Sequence, residues 1–291
     1  MIKYAGLLLL GTCLLNPRAY SCTENGTGFL PENDLKIPVS EKNSGISEAR
    51  YHAVIDKVSR VYEPIVKSHG ATLRIDRRWA SDVVNAGTYR DESNNHWHIN
   101  LYGGFARHPQ ITEDGFALVI CHEIGHHIGG APKKLYSQGA IWASTEGQSD
   151  YFATLKCLRK VFADDDNISI VDRMEVPRKV RNECRDSFQS DWEAALCMRT
   201  SIAGHSVTKV NADSRQVPHP DFDVTDPTVV ASTSNFHPVP QCRLDTYFQG
   251  SLCPIPSSYP LSQTYETKAT CHPNLQHQVG LRPHCWFKPL E

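Results

Sequence analysis

The chain has 291 residues, which is enough to bury one large hydrophobic core or two smaller ones. Its formal net charge is -2 at pH 7, and no long run of one charge sign occurs. The charge therefore argues neither for nucleic acid nor for an anionic membrane surface as a binding partner, and we expect no nucleic-acid partner.

The first residues have the pattern of a secretory signal peptide. Lys3 precedes an apolar run over residues 4–15, and the small residues Ala19 and Ser21 lie where a signal peptidase would cut. The apolar run is too short to span a bilayer stably. We expect residues 1–21 to be removed and the mature protein to be exported, either to the periplasm or out of the cell.

Ten cysteines fit that oxidising destination. Cys13 belongs to the predicted signal peptide, and most of the others should form disulfides, with Cys184 and Cys197 as one candidate pair. Without Cys13, nine cysteines remain, and this odd number leaves at least one that is free, modified or paired between chains. Cleavage would make Cys22 the amino terminus, which resembles a bacterial lipoprotein, so we expect membrane attachment only if Cys22 is lipidated. At Cys121 we expect a buried thiol or a disulfide rather than a metal ligand.

The lead-in before the first helix has no regular pattern. Residues 22–45 are polar without a clear period, and Asn25-Gly26-Thr27 fits the N-glycosylation pattern. Ser47 can then cap a helix whose apolar residues recur at helical spacing up to Gly70. Pro64 predicts a kink in that helix.

Three short segments, residues 71–75, 83–90 and 97–102, predict a small antiparallel sheet. His96 and His98 alternate with apolar neighbours, so we expect exposed strand positions for them rather than roles as metal ligands. An edge strand of this sheet could hold an extended peptide by strand addition.

The segment 111–130 carries an H-E-x-x-H pattern at His122, Glu123 and His126. Thr112 can cap a helix here, and a Gly-Gly pair can end it. The two histidines are then one turn apart and project from one face, as two ligands of a tetrahedral zinc site do. Glu123 points to a neighbouring face, which suits a general base. The alternative is a surface helix that happens to carry histidines.

A second helix is predicted to begin at Glu146, with Ser144 or Thr145 as its cap. Glu146 and Asp150 are one turn apart on it. Glu146 can complete a two-His, one-Glu zinc set, and Asp150 can accept the ring N–H of a ligand histidine and fix its tautomer. The alternative is that both acids only favour the helix start or pair with nearby bases.

The C-terminal part of the chain has weaker periodicity. We expect partly helical structure up to Thr200, a long loop over residues 203–235, and a last helix around Arg243. This predicts one catalytic domain over residues 46–250. Residues 251–291, rich in Pro, Cys and His, should form a tail held by disulfides.

Four motifs in this order resemble those of the M48 metallopeptidases, members of the gluzincin group of zinc proteases. They are Asn85-Ala86, the helix ALVICHEIGHHIGG, the segment EGQSD, and His237-Pro238 followed by Arg243. The resemblance implies an α+β fold. It would be a helical zincin-like metalloprotease domain with a small antiparallel sheet, followed here by the disulfide-rich C-terminal tail.

The resemblance also assigns roles around the metal. His122, His126 and Glu146 would bind zinc, and Glu123 would activate water. Asp150 would lie behind a ligand histidine and orient it. These assignments agree with those that the residue spacing itself suggests.

Other roles come from the resemblance alone. Asn85 and Ala86 would bind substrate, and His237 and Arg243 would approach the cleft from its far side. A proton donor and a cation there would stabilise an oxyanion that exists only in the transition state. The chain departs from the family in its hairpin turn, DESNN, in the Gly-Gly that ends the metal helix and in the long linker before His237. These departures concern substrate recognition more than zinc chemistry.

The sequence thus predicts a secreted or periplasmic endopeptidase that needs Zn2+ and hydrolyses peptide or protein substrates. One alternative is a zinc-binding chaperone or binding module on the same fold. The presence of Glu123, His237 and Arg243 argues against it, because a binding module needs none of them. Another is a deformylase-like amidase with a cysteine ligand, against which the signal peptide and the Glu146/Asp150 pair argue.

Overall fold

The computed structural model of the protein describes residues 19–20, 28–41, 45–136 and 139–289. Most of the predicted signal peptide, with Cys22 and Asn25, lies outside the described residues. The described chain is a mixed α+β fold with small sheets and several disulfides, which confirms the predicted class at that level. Within these ranges, no helix is long and apolar enough to cross a membrane.

Helices are the main regular elements of the described structure. Their bounds are α1 Glu48–Ser68, α2 Gly103–Arg107, α3 Glu113–Ile128, α4 Glu146–Phe152, α5 Leu158–Val161, α6 Asn167–Val171, α7 Arg178–Ser187, α8 Asp191–Arg215 and α9 Pro240–Leu252. A π-helical segment, Ala153–Cys157, joins α4 to α5. The strands are β1 Ala19–Tyr20, β2 Thr72–Arg78, β3 Ala86–Asp91, β4 His96–Tyr102, β5 Lys133–Tyr136 and β6 Gly139–Ser144.

Helix starts agree with the predicted caps. The side chains of Ser47, Thr112 and Thr145 accept hydrogen bonds from backbone N–H groups in the first turns of α1, α3 and α4. Each cap satisfies one of the amides that a helix start leaves without a partner. Helix α1 continues through Pro64 without interruption.

The larger sheet is mixed, so the prediction of an antiparallel sheet was wrong for one strand pair. The strand order is β1-β3-β4-β2, with β3 antiparallel to β4 and β2 parallel to it. Strand β4 is the most buried, with Trp97, Ile99 and Leu101 shielded from solvent, and it therefore takes a central position. Residues 79–85 carry the chain from one side of β4 to the other, so that β2 and β4 run parallel. The alternation of apolar residues predicts strands but not their relative direction.

Helix α3 is the central element of the core. Its residues are buried without interruption from Gly115 to His127. It contacts α1, α4, α8 and both β3 and β4. Apolar side chains such as Phe116 and Ile120 join the main hydrophobic cluster. A helix that is buried on every side can carry ionisable groups only where its neighbours supply partners for them.

The long loop predicted over residues 203–235 was wrong for its first part. Helix α8 continues to Arg215, and Ala203, Val207 and Val210 are fully buried at helical spacing. Polar residues between them hid this period, because some, such as Thr208, are themselves buried and hydrogen-bonded to the backbone of the preceding turn. Residues 217–235 are irregular, as predicted.

Four disulfides link the described elements, and their pairs are Cys121–Cys157, Cys184–Cys197, Cys242–Cys285 and Cys253–Cys271. Cys121 is in a buried disulfide, one of the two states expected for it, and the pairing of Cys184 with Cys197 is confirmed. Cys242–Cys285 fastens the tail to α9, and Cys253–Cys271 lies within the tail, as expected of a tail held by disulfides. Trp286 of the tail is fully buried and donates a hydrogen bond from its indole to Thr246.

The Cys121–Cys157 disulfide fastens α3 to the π-helical segment, so its removal should destabilise the core. For its sequence separation of 36 residues, loss of the cross-link by Cys121→Ala with Cys157→Ala should lower the free energy of unfolding by about 4 kcal/mol. The measurement is chemical denaturation under non-reducing conditions. Cys184→Ala with Cys197→Ala, which opens a separation of 13 residues, is the control and should cost about 3 kcal/mol. An unchanged stability in the first pair of substitutions would contradict this role.

Candidate metal centre

Two helices bring the predicted ligands together. His122 and His126 lie one turn apart on α3, and their rings are 4.7 Å apart in an edge-to-face arrangement. Glu146 is the first residue of α4, fixed there by the Thr145 cap. The helices approach closely at Gly125, where an added Cβ would lie 3.0 Å from the Cα of Ser149. The small residue between the two histidines thus allows α4 to deliver its glutamate.

The three side chains face one centre. His122 Nε2 lies 3.2 Å from Glu146 Oε2, and His126 Nε2 lies 3.7 Å from Glu146 Oε1. All three side chains are fully buried, and their ligand atoms lie within 4.8 Å of one another. Tetrahedral zinc with ligand bonds near 2.0–2.1 Å places its ligand atoms about 3.4 Å apart, so these separations fit a shared metal ion.

The orientation of the histidines supports the same conclusion. His122 Nδ1 lies 2.7 Å from Asp150 Oδ1, and His126 Nδ1 lies 2.9 Å from the carbonyl oxygen of Ser144. With Nδ1 donating in both rings, each Nε2 presents its lone pair to the centre. Both Nε2 atoms and Glu146 Oε2 are buried without a hydrogen-bond partner among the described residues. A metal ion bound between these side chains would satisfy all three atoms.

Asp150 is held by more partners than His122 alone. Arg243 donates from Nε and Nη2 at 2.8 and 2.6 Å, and the Tyr247 hydroxyl donates at 2.6 Å. Burial by itself would raise the pKa of Asp150, but Arg243 and His122 hold it below its usual value. The carboxylate is therefore ionised. Burial would lower the pKa of His122, but Asp150 and Glu146 raise it to about 9. A metal ion bound to Nε2 would take the place of the proton that the ring otherwise carries there.

His237 reaches the centre, as the resemblance implies. Its Nε2 lies 3.4 Å from Glu146 Oε2, and burial lowers its pKa to about 4, so the ring is neutral at pH 7. That nitrogen also donates a hydrogen bond to the carbonyl oxygen of Gly28 at 2.8 Å. Arg243 lies behind the centre, on Asp150, and its Nη1 donates to the carbonyl oxygen of Phe29 at 3.0 Å.

Glu123 is fully buried next to the two histidines on α3. Lys134 on β5 is also fully buried, and its ammonium group donates to Glu146 Oε1 at 2.6 Å. Burial would raise the pKa of Glu146, yet its neighbours, among them the buried Lys134 ammonium group, hold it well below its usual value. Because Lys134 uses Oε1, Oε2 is the oxygen that remains for a metal ion.

Sequence reasoning missed Lys134 and did not assign a role to Tyr247. Tyr247 follows Arg243 by one helical turn, so its place beside Asp150 was available from the spacing. Lys134 lies in a short strand with no distinctive pattern, and only the fold brings it to Glu146. Asn85 and Ala86 lie where β3 begins and contact residues 28–30 of the lead-in.

His96 and His98 are half-buried on β4 rather than exposed, and with Asp91 they form a second group that could hold a metal ion. Asp91 accepts hydrogen bonds from Ser93 and Asn94. The group at His122 differs because it is wholly buried and each of its histidines has an orienting partner.

Comparisons with known proteins do not assign this centre. No protein-family model matches the chain, and neither the curated proteins nor the solved structures contain a match. The geometry of the described residues therefore carries the functional argument, and the likeness to M48 metallopeptidases stays a prediction from the four motifs.

Replacement of Asp150 by Asn should weaken metal binding, because the amide neither compensates Arg243 nor holds the His122 tautomer as firmly. We expect an affinity for Zn2+ about 10- to 100-fold lower, measured by competition with a chromophoric chelator. Tyr247→Phe is the matched control, since it removes one hydrogen bond to the same carboxylate without changing charge, and its effect should be smaller. An unaltered affinity in Asp150→Asn would contradict the orienting role.

Proposed function

We propose that the protein is a zinc-dependent endopeptidase of the M48 type with a zincin-like fold, and that it acts outside the cytosol on peptide or protein substrates. One observation carries the proposal. A buried two-histidine, one-glutamate group is accompanied by Glu123, which is buried and follows His122 on α3, and by neutral His237, whose Nε2 lies 3.4 Å from Glu146 Oε2. A binding or structural site needs the first three side chains but not the last two.

Zinc is the metal that this donor set favours. Two imidazole nitrogens and one carboxylate, with an open position, are the ligands of catalytic zinc in several peptidases. A zinc ion held there would lower the pKa of a bound water towards neutrality and polarise a carbonyl oxygen. The four disulfides are compatible with a periplasmic or extracellular location.

The chain's own residues would divide the remaining chemistry. Glu123 would accept a proton from the attacking water and pass it to the leaving amine. His237 would donate a hydrogen bond from Nε2 to the carbonyl oxygen as negative charge develops on it. Because burial holds its pKa near 4, the ring donates without carrying a charge at pH 7. Arg243 would keep Asp150 ionised. It would also bind the backbone carbonyl group of the substrate residue that follows the cut bond.

A chaperone or binding module remains the rival. It would use the same zinc group as a structural site and would bind peptides without cutting them. Structural zinc sites usually have four protein ligands and no open position. Glu146, His122 and His126 supply three. The nearest further imidazole nitrogen among the described contacts of Glu146 belongs to neutral His237, 3.4 Å from that carboxylate.

Replacement of Glu123 by Gln separates catalysis from metal binding. The amide cannot accept a proton, so hydrolysis of casein should fall by a factor of at least about 100. Metal content, measured by elemental analysis of the same sample, should stay near one zinc per chain. The wild-type protein treated with a chelator should lose hydrolysis and regain it when Zn2+ is returned.

The control is Glu32→Ala, which changes an exposed glutamate outside the centre and should alter neither quantity. Loss of zinc from Glu123→Gln would mean that Glu123 is a ligand and that the assigned role is wrong. Zinc retained by a wild-type protein that hydrolyses no peptide would favour the binding module.

A further inference from the structure

Residues 28–30 of the lead-in lie across the candidate metal centre. Phe29 and Leu30 are fully buried. The ring of Phe29 stands edge-on to His122 with centroids 4.7 Å apart, and the Arg243 guanidinium lies over its face at 4.1 Å. A piece of chain that precedes the predicted domain is therefore in contact with a proposed ligand.

All four residues that the resemblance assigns to substrate or transition-state binding contact this segment through its backbone. The Phe29 N–H donates to the Ala86 carbonyl oxygen at 2.7 Å. Asn85 accepts from the Leu30 N–H at 2.9 Å and donates to the Leu30 carbonyl at 3.2 Å. His237 donates to the Gly28 carbonyl, and Arg243 to the Phe29 carbonyl.

The direction of the segment also matches strand addition. Phe29 bonds to Ala86, and Leu30, the next residue, bonds to Asn85, the residue before Ala86. The segment therefore runs antiparallel to the start of β3, as an added peptide strand would.

We infer that Gly28–Leu30 occupies the peptide-binding groove of this site in the manner of a substrate. The Gly28 carbonyl, bonded to His237, takes the position of the carbonyl that is attacked, and Phe29 fills the pocket for the side chain that follows the cut bond. The inference rests on the proposed function and adds a substrate class. Substrates would be extended peptides with a large apolar residue after the cut bond, and the chain's own lead-in would compete with them.

The pocket itself explains that preference. Phe105 packs edge-on to the Phe29 ring at 5.7 Å, while His122 and Arg243 close two other sides. Two rings thus meet the Phe29 ring edge-on and a cation lies over its face, an arrangement that favours an aromatic side chain. A small residue would leave part of the pocket empty.

Gly28→Ala offers a way to displace the segment. Gly28 has a φ of +102°, and an added Cβ would lie 2.3 Å from the Ala86 carbonyl oxygen and 2.7 Å from Asn85 Oδ1. Both contacts are too short for a Cβ atom and the nearer one is to backbone, so we expect the substitution to displace the segment from the edge of β3. The substitution itself alters none of the residues proposed for catalysis.

The test measures peptide binding without catalysis. A fluorescein-labelled peptide with the sequence of residues 26–31, GTGFLP, is titrated with zinc-loaded Glu123→Gln protein and followed by fluorescence anisotropy. The Glu123→Gln background keeps the Gly28–Phe29 bond intact, so that binding alone is observed. Adding Gly28→Ala should tighten binding at least tenfold, whereas adding Glu32→Ala should change nothing. The peptide GTGALP should bind the Gly28→Ala protein at least tenfold more weakly than GTGFLP.

Hydrogen exchange on the same proteins shows where the segment is. The amides of Phe29 and Leu30 should be protected in the Glu123→Gln protein and lose protection in Gly28→Ala. If Gly28→Ala does not fold, Phe29→Ala serves in its place and should give the same gain in peptide binding. Equal peptide binding by folded, zinc-loaded proteins with and without either substitution would overturn the inference and make the segment a permanent part of the core.

Failure of the proposed function would look different. Suppose that the Gly28→Ala protein binds GTGFLP but that no variant with Glu123 intact hydrolyses casein. This result would support the peptide-binding groove and contradict the proposed peptidase activity. With a working peptidase, Gly28→Ala should also raise the rate of casein hydrolysis several-fold over the wild-type protein.

Discussion

Two carboxylates, Glu146 and Asp150, lie one turn apart on α4 with no exposure to solvent. Ionised groups in such a place must be compensated by partners from the surrounding structure. Asp150 receives Arg243 from α9 and His122 from α3, and Glu146 receives Lys134 from β5. The two carboxylates of α4 therefore hold three separate parts of the chain, α3, α9 and β5, in position.

The same constraint links the ends of the chain to the centre. Arg243 binds Asp150 and also the backbone of Phe29, so α9 holds the lead-in against the site. The tail is in turn fastened to α9 by the Cys242–Cys285 disulfide. The tail and the lead-in, which have little periodicity of their own, thus obtain ordered positions from the elements that surround the metal centre.

Much of the centre could be predicted because its residues lie on helices with clear start and stop signals. Caps at Thr112 and Thr145 place His122 and Glu146 correctly, and helical spacing then brings Asp150 to the ring of His122. Lys134 could not be predicted, since its partner is set by the path of a β-hairpin. The parallel pairing of β2 with β4 depends likewise on a crossover, and the second half of α8 was missed because buried polar side chains interrupt its apolar period.

The central claim is that His122, His126 and Glu146 bind one zinc ion. A crystal structure of the zinc-loaded protein, with anomalous differences recorded on both sides of the zinc absorption edge, tests it most directly. We predict a single strong peak, present only above the edge, about 2.0–2.2 Å from both Nε2 atoms and from a Glu146 oxygen. A zinc-loaded crystal with no peak between these side chains, or with its strongest peak at Asp91, His96 and His98, would contradict the account.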